Sequence, residues 1–143
     1  MPNWCENSLS VTGEKEDVDA FVEKAKGTGW SPTQEEENPL DCNKFIPMPK
    51  EVVANGYSAR EDENISNGFD WENKYWGTKW GACEVDVYVG DTYAQYTFET
   101  AWCPFIPVVK AMIKQNPKLE FHLDYAEYGM MFKGSLSGWG GLV

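Results

Sequence analysis

An α+β sandwich of split βαβ form, an antiparallel sheet carrying two helices on one face, is predicted by three observations. Four runs alternate polar and apolar residues with a period of two, and two other runs place apolar residues at i, i+3 and i+4 spacing. The runs follow one another as strand, helix, strand, strand, helix, strand, with a further hairpin strand at the end. A length of 143 residues suits one domain over the whole chain, and with 42% hydrophobic residues and seven Trp it can build a core.

The first strand is read from Trp4 to Thr12, where Cys5, Asn7, Leu9 and Val11 point one way and Glu6, Ser8, Ser10 and Thr12 the other. Thr12 is placed to cap a helix whose stripe is Val18, Phe21, Val22 and Ala25, with Gly27 as its stop. Residues 28–81 form a long Trp-rich insertion with Pro32, Pro39, Pro47 and Pro49, the acidic run Glu35-Glu36-Glu37 and a polar stretch over 58–68. Within it, Phe45-Ile46-Pro47-Met48-Pro49 reads as extended, and Asp70 to Trp76 as a short helix with Asp70 and Lys74 at i,i+4.

Alternation resumes at Glu84 to Val89, with the valines on one side, then a Gly90-Asp91 turn and a return strand, Tyr93 to Thr100, which sends Ala94, Tyr96 and Phe98 inward. Pro104 and Pro107 fit the first turn of a second helix with the stripe Phe105, Val108, Val109, Met112 and Ile113, ended by Asn116-Pro117. Leu119, Phe121, Leu123 and Tyr125 then alternate with Glu120, His122 and Asp124. A Tyr128-Gly129 turn leads to a last strand, Met130 to Lys133, and a tail over 135–143 that reads as flexible, with Trp139 able to dock. This order is the ferredoxin-like pattern, which leaves one sheet face uncovered.

Five spaced segments carry a family resemblance: Met1-Pro2-Asn3-Trp4-Cys5-Glu6-Asn7, Phe45-Ile46-Pro47-Met48-Pro49, Trp76-Gly77-Thr78-Lys79-Trp80, Phe98-Glu99-Thr100-Ala101-Trp102 and Tyr125-Ala126-Glu127-Tyr128-Gly129. Together they resemble the YubB-like family over nearly the whole chain. The resemblance implies a ferredoxin-like domain and a phage or plasmid origin, and brings no agreed activity or catalytic residues. Where similar sequences tend to have Ser after the Thr-Ala-Trp motif, this chain has Cys103, which removes a good cap for the second helix.

Charge narrows the partners. With 23 acidic against 12 basic residues the net charge is -11, and Arg60 is the one arginine. Neutralising phosphates takes Lys and Arg, so ordinary nucleic-acid binding and anionic membrane surfaces are disfavoured, while a basic protein is attracted at long range. No run is long and apolar enough to span a membrane and the start carries no leader, so a cytoplasmic location is expected. Cys5, Cys42, Cys83 and Cys103 include no C-x-x-C pair, and they read as buried or incidental thiols. No metal site, cofactor or catalytic motif is recognisable.

Two groups of residues remain as candidates. The uncovered face holds Glu6, Ser8 and Ser10, Glu84, Asp86 and Tyr88, Tyr93, Gln95, Thr97 and Glu99, and Glu120, His122 and Asp124. That acidic surface suits a basic protein, a cation or plain solvation. His122 beside its carboxylates raises the alternative of a metal or carboxylate enzyme. The second group is the aromatic cluster of Trp71, Tyr75, Trp76, Thr78, Lys79, Trp80 and Trp102, which either anchors the insertion or stacks on a small nucleotide, Lys79 meeting a phosphate. The expected function is thus a non-catalytic binding protein of a mobile element, acting on a host protein or defence component. A nucleotide sponge is the alternative, and an enzyme centred on His122 a second one. An exposed strand edge would permit homo-oligomers.

Overall fold

The computed structural model describes residues 3–28, 37–54, 56 and 68–143. Its strands are β1 (Trp4–Thr12), β2 (Cys83–Val89), β3 (Tyr93–Ala101), β4 (Glu120–Glu127) and β5 (Phe132–Trp139); its α-helices are α1 (Lys15–Ala25), α2 (Lys50–Ala54), α3 (Gly68–Tyr75) and α4 (Ile106–Gln115). The strands form one antiparallel sheet in the order β2-β3-β1-β4-β5, the ferredoxin-like arrangement with β5 added outside β4. Trp30, Pro32, Glu35, Glu36, Arg60 and most of the polar stretch over 58–68 lie outside the described residues.

The alternation works as expected because strand neighbours point to opposite faces. Leu9, Val11, Ala94, Tyr96, Phe98, Phe121 and Leu123 are buried against Val18, Phe21, Val22 and Ala25 of α1 and Val108, Val109, Met112 and Ile113 of α4. Phe21 sits at the centre, its ring 5.4 Å from those of Phe45 and Phe121 and 6.1 Å from Tyr96. Burying each such side chain contributes about 1.5–3 kcal/mol, so this one-sided layer holds the sheet flat against its helices.

Several local expectations are corrected. Thr12 does not cap α1: Thr12 still pairs in β1, Gly13 donates to the Thr92 carbonyl at 3.0 Å, and the cap position is Glu14, without a side-chain cap bond. The chain stays in the sheet for one residue longer than the helix signal suggests. The segment 45–49 is extended only in part, since Cys42–Lys44 makes a 3-10 turn that ends at Phe45, and α2 begins directly after Pro49. Pro104 precedes α4, whereas Pro107 lies in its first turn; the cap position is Phe105, with no side-chain cap bond, so Cys103 lies two positions before the cap and is not the capping residue expected from the sequence.

The tail is the largest correction. Residues 135–139 belong to β5, which pairs with β4 from Glu127↔Phe132 to Glu120↔Trp139, and Trp139 stays exposed rather than docking. Gly138 makes this possible, because a Cβ there would lie 2.5 Å from Ile113 Cδ1 of α4. Its bare backbone lets the helix approach the added strand.

Candidate functional site

The helix-free face holds a groove of about 940 Å³ lined mainly by the outward residues of all five strands. The cross-strand register explains its composition, since residues directly opposite share a face. One row runs Asp86, Thr97, Ser8, Asp124 and Ser135; the next holds Glu99, Glu6, Ala126 and Lys133. Glu6 and Glu99 are direct cross-strand partners, an unfavourable pairing for two carboxylates. Glu84 also reaches the groove, from an irregularity between Cys83 and Asp86 where its φ is 50°. Five carboxylates thus line a groove whose one basic residue is Lys133.

Beyond the groove the face carries mainly uncharged polar residues, with Glu120 at its far end. Ser10 donates to Gln95 Oε1 at 2.7 Å, and Gln95 Nε2 donates to Ser8 at 2.6 Å. His122 has Ser137 Oγ at 2.5 Å from Nδ1 and Asp124 Oδ1 at 3.1 Å from Nε2, all on the exposed surface. Glu120 is one strand position pair away, opposite Trp139. Among the described residues no group of three or more His, Cys, Asp and Glu side chains is arranged to hold a metal ion. The thiols stand apart from His122: burial pushes Cys5 up to about 11 and raises Cys42, Cys83 and Cys103 as well, the opposite of what activates a thiolate nucleophile.

The aromatic cluster divides. Trp71 and Trp76 are buried, their rings 5.6 Å apart and edge-on, and Trp76 Nε1 donates to the Ile46 carbonyl at 2.9 Å. Thr78 is buried with its hydroxyl donating to the Ala101 carbonyl at 2.6 Å. These three fasten the insertion to the end of β3 and to the 45–49 segment. Tyr75, Trp80 and Trp102 are exposed, by 43%, 43% and 48%. Trp80 is held between neighbours, with Lys79 Nζ 4.2 Å from its ring centre and the Trp4 ring at 6.0 Å. Lys79 also lies 5.7 Å from the Phe69 ring.

Two structural features escaped sequence reasoning. Glu72, fully buried, accepts the Trp80 backbone N–H at 2.8 Å, which helps fix Trp80 in the left-handed region at φ 69°. Glu127, also buried, accepts from Gly129 and Met130 at 2.6 and 2.7 Å and closes the turn between β4 and β5. A Glu two residues before a Gly, at the end of an alternating run, was the available signal for the second. The resembling segments meet at this end of the sheet: Asn7 Nδ2 donates to Thr100 Oγ1 at 3.0 Å, Thr100 donates to the Cys103 carbonyl at 2.7 Å, and Cys103 Sγ lies 2.9 Å from the Gly77 carbonyl. Their geometry is that of a polar clasp, buried at Asn7 and Thr100 and part-buried at Cys103.

Comparison with known proteins agrees with the fold. Residues 73–141 match the family model described as a ferredoxin-like domain in Api92-like protein. The uncharacterized protein YubB of Escherichia coli strain K12 is 26% identical over 99 residues, 67% of this chain and 68% of that relative. The crystal structure of protein api92 from Yersinia pseudotuberculosis superposes with a TM-score of 0.77 at 11% identity, covering 99% of this chain and 95% of that one, which establishes a common fold.

Proposed function

We propose, from the premise that residues 73–141 carry a ferredoxin-like domain of the kind in Api92-like protein, that this chain is a non-catalytic binding protein whose acidic sheet face docks a basic protein surface. The observation that carries the reading is the groove with Glu6, Glu84, Asp86, Glu99 and Asp124 on a face that no described helix covers. A fixed array of like charges costs stability, and an incoming cationic surface relieves that cost. The mobile-element setting implied by the resemblance makes a host protein or defence component the partner class, met in the host cytoplasm.

The nucleotide alternative draws less support. Trp71 and Trp76 are buried, Trp80 is flanked by Lys79 and Trp4, and Tyr75 by Trp71 and Lys74, so little stacking surface is left on these four rings. The test is binding of a short oligolysine peptide to the wild-type chain and to Asp86→Lys with Asp124→Lys, at low and high salt. The reading expects about tenfold weaker binding in the double variant and a marked loss with salt for the wild type. Equal binding by both proteins overturns it.

A further inference from the structure

β2 ends the sheet order, and among the described residues its outer edge has no ladder partner. Natural edges are usually blunted by lysine, proline or a bulge. Here the irregularity is confined to Cys83–Asp86, and Asp86, Val87, Tyr88 and Val89 pair regularly with Thr97, Tyr96, Gln95 and Ala94. Neither lysine nor proline occurs in this run. The two sides of the strand differ in chemistry. Val87 and Val89 point to the helix side, yet they remain 36% and 43% exposed because the helix layer does not reach them, while Asp86 and Tyr88 lie on the groove side.

We propose that this edge of β2 accepts an extended strand of a basic protein, with alternate residues cationic toward Asp86 and Glu84 and apolar over Val87 and Val89. Strand addition takes its affinity from main-chain hydrogen bonds and its specificity from alternate side chains, and this edge supplies both. Charge selects the occupant. A second copy would bring another net charge of -11 and set carboxylates of the two β2 strands along one shared face, so self-pairing is opposed where a cationic strand is drawn in. This deepens the reading above and rests on it for the sign of the partner's charge; the unpaired edge and the exposed valines are separate observations.

Three blocked peptides test it: one of alternating lysine and valine, the same peptide N-methylated on the amides that would pair, and one of equal composition with its lysines and valines in separate blocks. The alternating peptide is expected to bind about tenfold more tightly than either control, and to slow amide exchange at 86–89. Val87→Lys and, independently, Val89→Lys are expected to remove that advantage while leaving the thermal unfolding transition cooperative. Equal affinity for the N-methylated peptide, with salt-sensitive perturbation around Glu6 and Glu99, would overturn the edge inference and leave the acidic-face reading standing. Failure of all three peptides to bind would overturn both. Self-association of the free protein that Val87→Lys abolishes would assign the edge to a second copy instead and overturn the basic strand.

Discussion

Glu72 and Trp80 are joined across eight residues by a 2.8 Å bond from the Trp80 backbone N–H to a carboxylate that has no solvent exposure. Trp80 sits at φ 69°, a conformation that a bulky residue adopts only where its surroundings impose it. Removing the acceptor leaves a part-buried donor and a strained tryptophan. Glu72→Ala is therefore expected to lower stability by about 2–4 kcal/mol in urea unfolding, and Glu72→Gln, which keeps an acceptor oxygen, by about half as much. The Trp80 fluorescence should shift in the same order. A Glu72→Ala chain as stable as wild type would show that Trp80 is held by its ring contacts alone.

Tyr96 places a phenol in the core, fully buried, and its hydroxyl has no hydrogen-bond partner among the described residues. Burial accordingly pushes its ionisation well above the ordinary range. The ring fills space beside Phe21, so Tyr96→Phe keeps the packing and removes an unsatisfied polar group. A gain of about 1 kcal/mol is expected from chemical denaturation, and a loss of that size would reveal a partner for the hydroxyl.

Alkaline pH should weaken the fold through its thiols. Cys5 ionises at 9.0 in an open chain and is pushed up to about 11 in the folded one, first by burial; Cys42, Cys83 and Cys103 are raised for the same leading reason. Between those values the unfolded chain releases protons that the folded chain retains, so stability is full below pH 9 and falls as pH rises toward 11. Cys5→Ala should flatten part of that slope. An unchanged slope in melting temperature against pH would remove Cys5 from the account.

The contact between β5 and α4 depends on an absent side chain. A methyl group on Gly138 would meet both Ile113 Cδ1 and the Leu142 carbonyl, so Gly138→Ala is expected to cost about 1–3 kcal/mol and to speed amide exchange in β5. Exchange faster in β5 than in β1 would locate the damage at the added strand.

The sheet and its helices were legible because period-two and period-3.6 patterns are local: Leu9 and Val11 already alternate with Ser8 and Ser10, and Val108, Val109, Met112 and Ile113 already share a stripe. β5 was not. Its Gly134, Ser135, Ser137 and Gly138 have weak strand preference, and only pairing with β4 makes them a strand. The acidic face followed from the same alternation, since Asp86 and Asp124 are exposed as that pattern requires and Glu99 lines the groove with them. The Glu72 and Glu127 bonds were hidden because a buried carboxylate and an exposed one look alike in a sequence. The nakedness of Val87 and Val89 was hidden too, for it depends on where the helix layer stops.

β1 lies in the middle of the sheet, yet its two partners begin at Tyr93 and Glu120. β1 must wait for both of these later strands before it can be enclosed. Such distant pairing raises the contact order and defers the cooperative folding step, so a growing chain carries Leu9 and Val11 without their strand neighbours until β3 and β4 have been made.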